Sequence, residues 1–428
     1  MLNKFCVLKR TTFIFTISFA VLAVHKKTHA VADFGNPGVL PQGRYQMTFR
    51  FGNTSEIQDK FNSQGTLQSP SRMNKRFDNK FLMSQPKFQG FAKILDEQIL
   101  PSQKPSVKID PGSVEFKGNA QVDYFVPQLA RGMTKNWSLG FGIPLVRYKS
   151  DISMQNRGIN TAPGVLKGAA SPEKFKDLSK SMAAEAQALI DGPSALVANQ
   201  LRENNFRSIS ERDERFMGDI VLGSSLKLYD SKSVDLYMLN NLTLPTGPKD
   251  DPDDMIDLNI FGKTQLQNVF FANLETYKWL ELGVGVFYTW GIPDDFEKRV
   301  PESENDFIPR ESSKETVRKD PGDAVGAQFY SQVKLSDYYQ IGAGYEVARK
   351  QADKYRGGNP SSRYDLLEKD TDSNYQIAKF KFTYSTVDGF LRDEVKIPYS
   401  ITYAFADHIS GKNVERELTH EFLMKFYF

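Results

Sequence analysis

Period-two alternation sets the terms for this chain. The clearest run, Leu280 to Trp290, puts Leu280, Leu282, Val284, Val286, Tyr288 and Trp290 on one face and Glu281, Gly283, Gly285, Phe287 and Thr289 on the other, as in a strand with one apolar side. The last residues repeat the pattern, with Leu418, Phe422, Met424, Phe426 and Phe428 on one face and Thr419, Glu421 and Lys425 opposite. A soluble strand gains little from an apolar residue at a fraying terminus.

Twelve such runs can be placed, over residues 45–51, 114–126, 137–145, 220–228, 234–244, 258–274, 280–290, 325–335, 339–347, 380–384, 395–405 and 418–428. Apart from its start, the chain has no stretch of eighteen or more apolar residues, so it holds no spanning helix. In lipid the remaining way to satisfy every backbone N–H and C=O is a closed sheet. Short turns at 130–135, 230–233, 276–278, 336–338 and 386–393 alternate with long polar connections at 56–112, 150–217, 246–256, 292–323, 350–373 and 406–415. The expected fold is therefore all-β: a transmembrane antiparallel up-and-down barrel of about twelve strands, with short periplasmic turns and long outer loops. Tyr288, Trp290, Tyr399 and Tyr403 suit its interface girdles.

Residues 1–32 read as a signal peptide, with Lys4, Lys9 and Arg10 before an apolar stretch from Thr11 to Val24 and a small-x-small site at Ala30-Val31-Ala32. The barrel then occupies 33–428, in the bacterial outer membrane. Cys6, the one cysteine, falls in the signal, leaving no thiol for disulfides, metal ligation or nucleophilic catalysis. Residues 1–32 also hold five basic and no acidic residues, so the remainder carries 50 basic against 52 acidic residues, a formal charge of −2. The basic excess of the whole chain belongs to export and implies no nucleic-acid partner.

The alternate positions, expected to line the lumen, are polar and of both signs: Glu115, Lys117, Asp123, Lys227, Lys263, Glu281, Tyr330, Lys334, Glu346, Lys379, Lys381 and Lys396, with Phe287 among them. Paired across the middle they plug a narrow barrel; a continuous path without such pairs makes a conduit. The second outer loop carries a helical insertion at 171–204. Ser171-Pro172-Glu173 starts a helix, Phe175, Leu178, Met182, Ala186, Leu189 and Ile190 follow at helical spacing, and Gly192-Pro193 stops it before a second short helix through Leu201. Its apolar face is either buried or a docking platform for an apolar ligand through Phe175, Leu178, Met182, Leu189 and Ile190.

Three smaller features complete the reading. Asp250, Asp251, Asp253, Asp254 and Asp257 cluster without the spacing of a calcium loop. Arg72, Lys75 and Arg76 could meet lipopolysaccharide phosphates. His408-Ile409-Ser410 superficially resembles the His-x-Ser pattern of outer-membrane phospholipase, but Lys412-Asn413 stands where that family has Asn-Gly, and the pair falls in the last outer loop. The chain is therefore read as no enzyme, with no cofactor and no metal.

Met217-Gly218-Asp219-Ile220, Leu244-Pro245-Thr246-Gly247, and Leu139 to Leu145 with its Ile143-Pro144 together resemble the outer-membrane family named for the meta-pathway of phenol degradation, over roughly residues 114 to 300. Its members are barrels associated with passage of hydrophobic or aromatic compounds, related in style to the long-chain fatty acid transporters. The large helical second loop departs from both groups, and the segment Asp33 to Gly43 does not match the hatch of the fatty acid family. The resemblance implies a passive outer-membrane channel for small hydrophobic or aromatic solutes. The alternative is a sealed barrel whose loops bind lipopolysaccharide or a surface partner.

Overall fold

The computed structural model describes residues 38–428, except 56, 58, 69–74, 84–85, 95, 98–104, 170–179, 210, 256–260, 304–305 and 307. The proposed signal peptide thus lies outside the described residues. Twelve antiparallel staves form the barrel: β1 (Tyr45–Thr54), β2 (Ser113–Thr134), β3 (Trp137–Gly142, continued by Leu145–Arg157), β4 (Arg212–Met217, continued by Val221–Asp230), β5 (Val234–Thr243), β6 (Gln265–Tyr277), β7 (Leu280–Gly291), β8 (Ala324–Lys334), β9 (Tyr339–Lys350), β10 (Ser373–Ser385), β11 (Tyr399–Lys412) and β12 (Leu418–Tyr427). Each pairs with its neighbours in order, and β1 closes the ring by pairing with both β12 and β2; Thr48, for example, faces Lys425 on one side and Gln128 on the other. Closure leaves the barrel without a free edge.

The apolar outer face matches the alternation. Phe51, Phe141, Phe270, Val286, Phe329, Phe382 and Phe422 all point outward and exposed, a surface that only lipid would cover. Aromatic rings gather at the periplasmic rim, where Tyr277 stacks on Trp279 at 5.6 Å and Tyr45 on Phe428 at 6.0 Å. Tyr403 differs from the girdle expectation. It lies higher on β11, with its hydroxyl 2.8 Å from Nδ1 of outward-facing His420.

Several boundaries move, among them the end of β2 at Thr134 rather than 126, the start of β10 at Ser373 rather than 380 and the end of β11 at Lys412 rather than 405. β6 starts at Gln265 rather than 258, and β11 starts at Tyr399 rather than 395. β3 does not end at Ile143-Pro144, because it resumes at Leu145 and runs to Arg157, paired with Arg212–Met217. Proline has no N–H for the ladder, so β3 breaks there and then continues. β4 breaks at the same height, at Gly218-Asp219-Ile220, and Gly218 N–H donates to Pro144 O at 2.8 Å across the paired breaks.

Outside the membrane the chain builds a second core. Helices α1 (Asn79–Met83), α2 (Pro86–Ile94), α3 (Ala162–Ala169), α4 (Lys180–Asp191) and α5 (Pro193–Glu203) pack Phe77, Phe91, Ile109, Leu166, Leu189 and Val197, nearly all solvent removed, against Val114 and Phe116 of β2. Gly192 makes the corner between α4 and α5 with φ of 101°, a left-handed geometry glycine tolerates, and Pro193 opens α5. Asn156 of β3 fixes that corner, its Nδ2 donating to Asp191 O at 3.1 Å and its Oδ1 accepting from Ser194 N–H at 2.8 Å. A three-stranded sheet, 294–299, 314–320 and 354–357, stands on the rim beyond β7 to β9.

Candidate functional site

Inward-facing residues were expected to be mainly polar, and much of the lumen is instead apolar. On β2 the expected faces are reversed: Val122, Tyr124 and Val126 point in, packed with Val146, Tyr148, Val221 and Phe261. Phe125 points out, stacked at 4.8 Å on outward Phe51. Glu115, Lys117 and Asp123 accordingly lie on the outer surface, where Glu115 meets Arg157 at 2.5 Å and Asp123 meets Lys149 at 3.8 Å. Lower down, Tyr237, Leu239, Val269, Phe271, Phe287, Tyr330 and Leu423 form a second buried interior cluster, with Val39 of the amino-terminal strap against it.

Polar residues in this interior are matched to one another along the wall. Glu421 accepts from the Tyr124 hydroxyl at 2.5 Å and lies 3.6 Å from Arg50. Glu346 holds Lys379 at 2.6 Å, both about 97% removed from water, and accepts from Tyr375. Tyr330 donates to Glu281 at 2.6 Å and bonds Asn273. Buried charge survives only when matched in this way. With all of these groups except the half-buried Glu281 nine-tenths or more buried, side chains fill the middle of the barrel.

Among the expected lumen residues, Glu281, Phe287, Tyr330, Glu346, Lys379 and Lys381 sit on inward positions of β7 to β10. Lys227 lies inside near the periplasmic end, 3.7 Å from Asp235 and over the Tyr237 ring. Lys334 is at the inner rim with Asp388, 2.8 Å away. Lys263 precedes β6, in the connection over the β4 break, where Asp219 gathers the N–H groups of Gly247, Gly262 and Lys263 at 2.8, 3.0 and 3.4 Å. Lys396 lies on the last periplasmic turn.

In the helical insertion, Leu189 is fully buried and Ile190 partly buried within the outer core. Phe175 and Leu178 fall outside the described residues, as does the side chain of Met182. The acidic cluster is occupied by bases: Arg207 and Arg212 meet Asp254, Arg299 and Lys314 meet Asp253, and Lys298 meets Asp250. Asp257 and Arg72 are outside the described residues, while Arg76 bonds Asp110 at 2.9 Å. His408 and Ser410 lie within β11, not in a loop. A bulge pairs His408 with inward Ile377 but Ser410 with outward Gln376, so the two side chains point to opposite faces and cannot act as a nucleophile and base.

Sequence reasoning missed a cavity of about 840 Å³ at the periplasmic mouth, lined by the strap Gly38–Tyr45, the last turn and the inner ends of β12, β1, β2, β3 and β4. Ser225 Oγ donates to Gly38 O at 2.9 Å, Leu40 N–H donates to Ser138 Oγ at 2.8 Å, and Gly43 N–H donates to Gly132 O at 2.8 Å, tying the strap to the wall. Gly132 leaves the room it needs, because a Cβ there would collide with the Leu40 and Pro41 carbonyls.

A closed twelve-stranded ring with a lipid-facing apolar band is a bacterial outer-membrane β-barrel. Its fold is that of the COG4313 outer membrane channel from Pseudomonas putida F1, with a TM-score of 0.50 and 11% identity over 92% of this chain and 99% of that one. The P. putida toluene transporter TodX superimposes with a TM-score of 0.36 at 10% identity, over 91% and 90%. The translocator domain of autotransporter NalP from Neisseria meningitidis gives 0.35 at 9%, over 93% and 91%. No protein-family model and no curated protein matches the sequence.

Proposed function

We propose that this barrel is a passive channel for small hydrophobic or aromatic solutes. One observation carries the reading: beside the charge pairs that brace the middle, Glu346 with Lys379 and Glu421 with Arg50, inward aromatic and aliphatic side chains recur from the outer mouth (Tyr148, Phe261) through the middle (Phe271, Phe287) to the strap (Val39). A water-filled pore has a polar interior, and an apolar one lowers the barrier for solutes that leave water willingly. The COG4313 protein of like fold is an outer membrane channel, which agrees with this. Because the middle is filled, a solute advances by displacing side chains, and ions gain no aqueous path.

The test uses vesicles bearing lipopolysaccharide in the outer leaflet, whose polar layer slows arenes that cross plain lipid freely. Toluene entry should rise several-fold with the barrel present, while sucrose entry and potassium conductance stay near background. Removal of residues 171–204 should raise toluene entry further. A large ionic conductance would replace the reading with a water-filled pore. No entry of any solute, with or without the insertion, would leave a sealed scaffold acting through its loops.

A further inference from the structure

At the upper limit of the lipid-facing band, the outer surface of β3 and β4 pairs charges in a way that a ladder does not favour. Leu145 and Met217, directly opposed and exposed, are the last apolar outward pair of these strands. The next outward pair is Arg147 with Arg215, and beyond it Lys149 faces Asp213; Val146, Tyr148 and Phe216 between them point into the barrel. Like charges directly opposed across two strands are destabilising. Arg147 is compensated on both sides, by two hydrogen bonds to Asp213 at 2.7 and 2.5 Å and by Asp123 opposite it on β2. Asp123 also draws Lys149 to 3.8 Å, and Asp151 stands one row farther from the lipid. Arg215 differs. It is exposed, its strand segment Arg212–Met217 pairs with β3 alone, and none of the described carboxylates lies within ion-pair distance of it. Asp213, already bonded to Arg147, is the one acid whose charge it shares.

We infer that Arg215, with Arg147 beside it, binds a phosphate on the sugar headgroup of lipopolysaccharide. A guanidinium matches phosphate oxygens with two parallel N–H donors, and an anion between the two arginines offsets their repulsion. The surface directly below suits acyl chains, with Leu145 and Met217 exposed and Phe125 stacked on Phe51 at 4.8 Å. That juxtaposition of apolar wall and unmatched arginine selects a lipid-borne phosphate over a free one. The site needs no passage of solute, so it stands whether or not the barrel conducts.

The full barrel, folded in detergent free of lipopolysaccharide, would be mixed with lipid A bearing two phosphates, one or none, and the retained lipid followed by native mass spectrometry. The form with two phosphates should be held at least about tenfold more tightly than the form with none. Arg215→Gln should remove most of that preference and Arg215→Glu all of it. Arg215→Glu also sets an opposite charge across from Arg147, so its compact band on gels should persist to the parent temperature or higher, which separates lost binding from a damaged barrel. Arg131→Gln, a cation over the Tyr45 ring at the periplasmic rim, should retain lipid A as the parent does. Equal retention of the three forms, an undiminished preference in Arg215→Glu, or an equal loss in Arg131→Gln would overturn the inference. So would equal binding of phosphatidylglycerol, or displacement of lipid A by inorganic phosphate, either of which would make Arg215 a site for any anion.

Discussion

Tyr330 on β8 lies flat over Gly283, its directly opposed partner on β7. Two further inward rings use the same device, Tyr124 over Gly52 and Phe287 over Gly326. A glycine opposite each ring lets a large side chain fold down along the wall where a Cβ would collide with it.

Gly283→Val should therefore lift Tyr330 from the wall and pull it from Glu281 and Asn273. The expected cost is about 1–3 kcal/mol. It should appear as a lower temperature for loss of the compact barrel band on gels. Gly90→Ala in α2, where nothing lies within 4 Å of a new Cβ, should change that temperature little. Equal behaviour of the two variants would show that the ring is not held by the glycine.

The buried pair of Glu346 and Lys379 makes a second test. Glu346→Gln leaves a lysine in the filled lumen without its counter-charge and should destabilise the barrel by roughly 3–5 kcal/mol. Glu346→Leu with Lys379→Met removes both charges and should recover most of that loss. A double variant as unstable as the single one would mean that the pair itself, not the orphaned charge, matters.

The outer sheet should respond to acid. Burial alone would raise the Asp353 carboxyl, yet Lys319 and Lys350 beside it bring it down to about 2, with Lys319 Nζ at 3.1 Å and Gly322 N–H at 3.0 Å. A folded-state value below the ordinary 3.8 means that its stabilisation, about 2 kcal/mol, is complete above pH 4 and is lost as pH falls toward 2. Hydrogen exchange in 314–320 and 354–357 should quicken over that window. Asp353→Asn should exchange faster at neutral pH and lose the acid response.

Residue alternation is legible where the two faces differ in polarity. β7 is such a case, with Tyr288 and Trp290 outward and Glu281 and Thr289 inward. On β2 the faces do not differ within the bilayer, because Val122 and Val126 point in while Phe125 and Leu129 point out. Beyond the bilayer the outer side turns polar at Glu115 and Lys117, which reverses the apparent register. The amphipathic spacing of Leu189 and Ile190 marks a helix, but its partners Phe77, Phe91 and Ile109 come from another loop, and no local pattern announces such contacts. The mouth cavity was hidden for the same reason: the strap, the last turn and β12 are brought together only by closure of the ring.

β2 is 22 residues long, about 75 Å of extended chain. Even at a tilt near 45° it stands about 50 Å tall, roughly twice the apolar band of an outer-membrane barrel. With β3, β4 and the helical cap, it holds the mouth of the protein well above the apolar band. If the barrel admits greasy solutes as proposed, they would meet protein above the lipid, and height alone would carry them past the layer that otherwise holds them out.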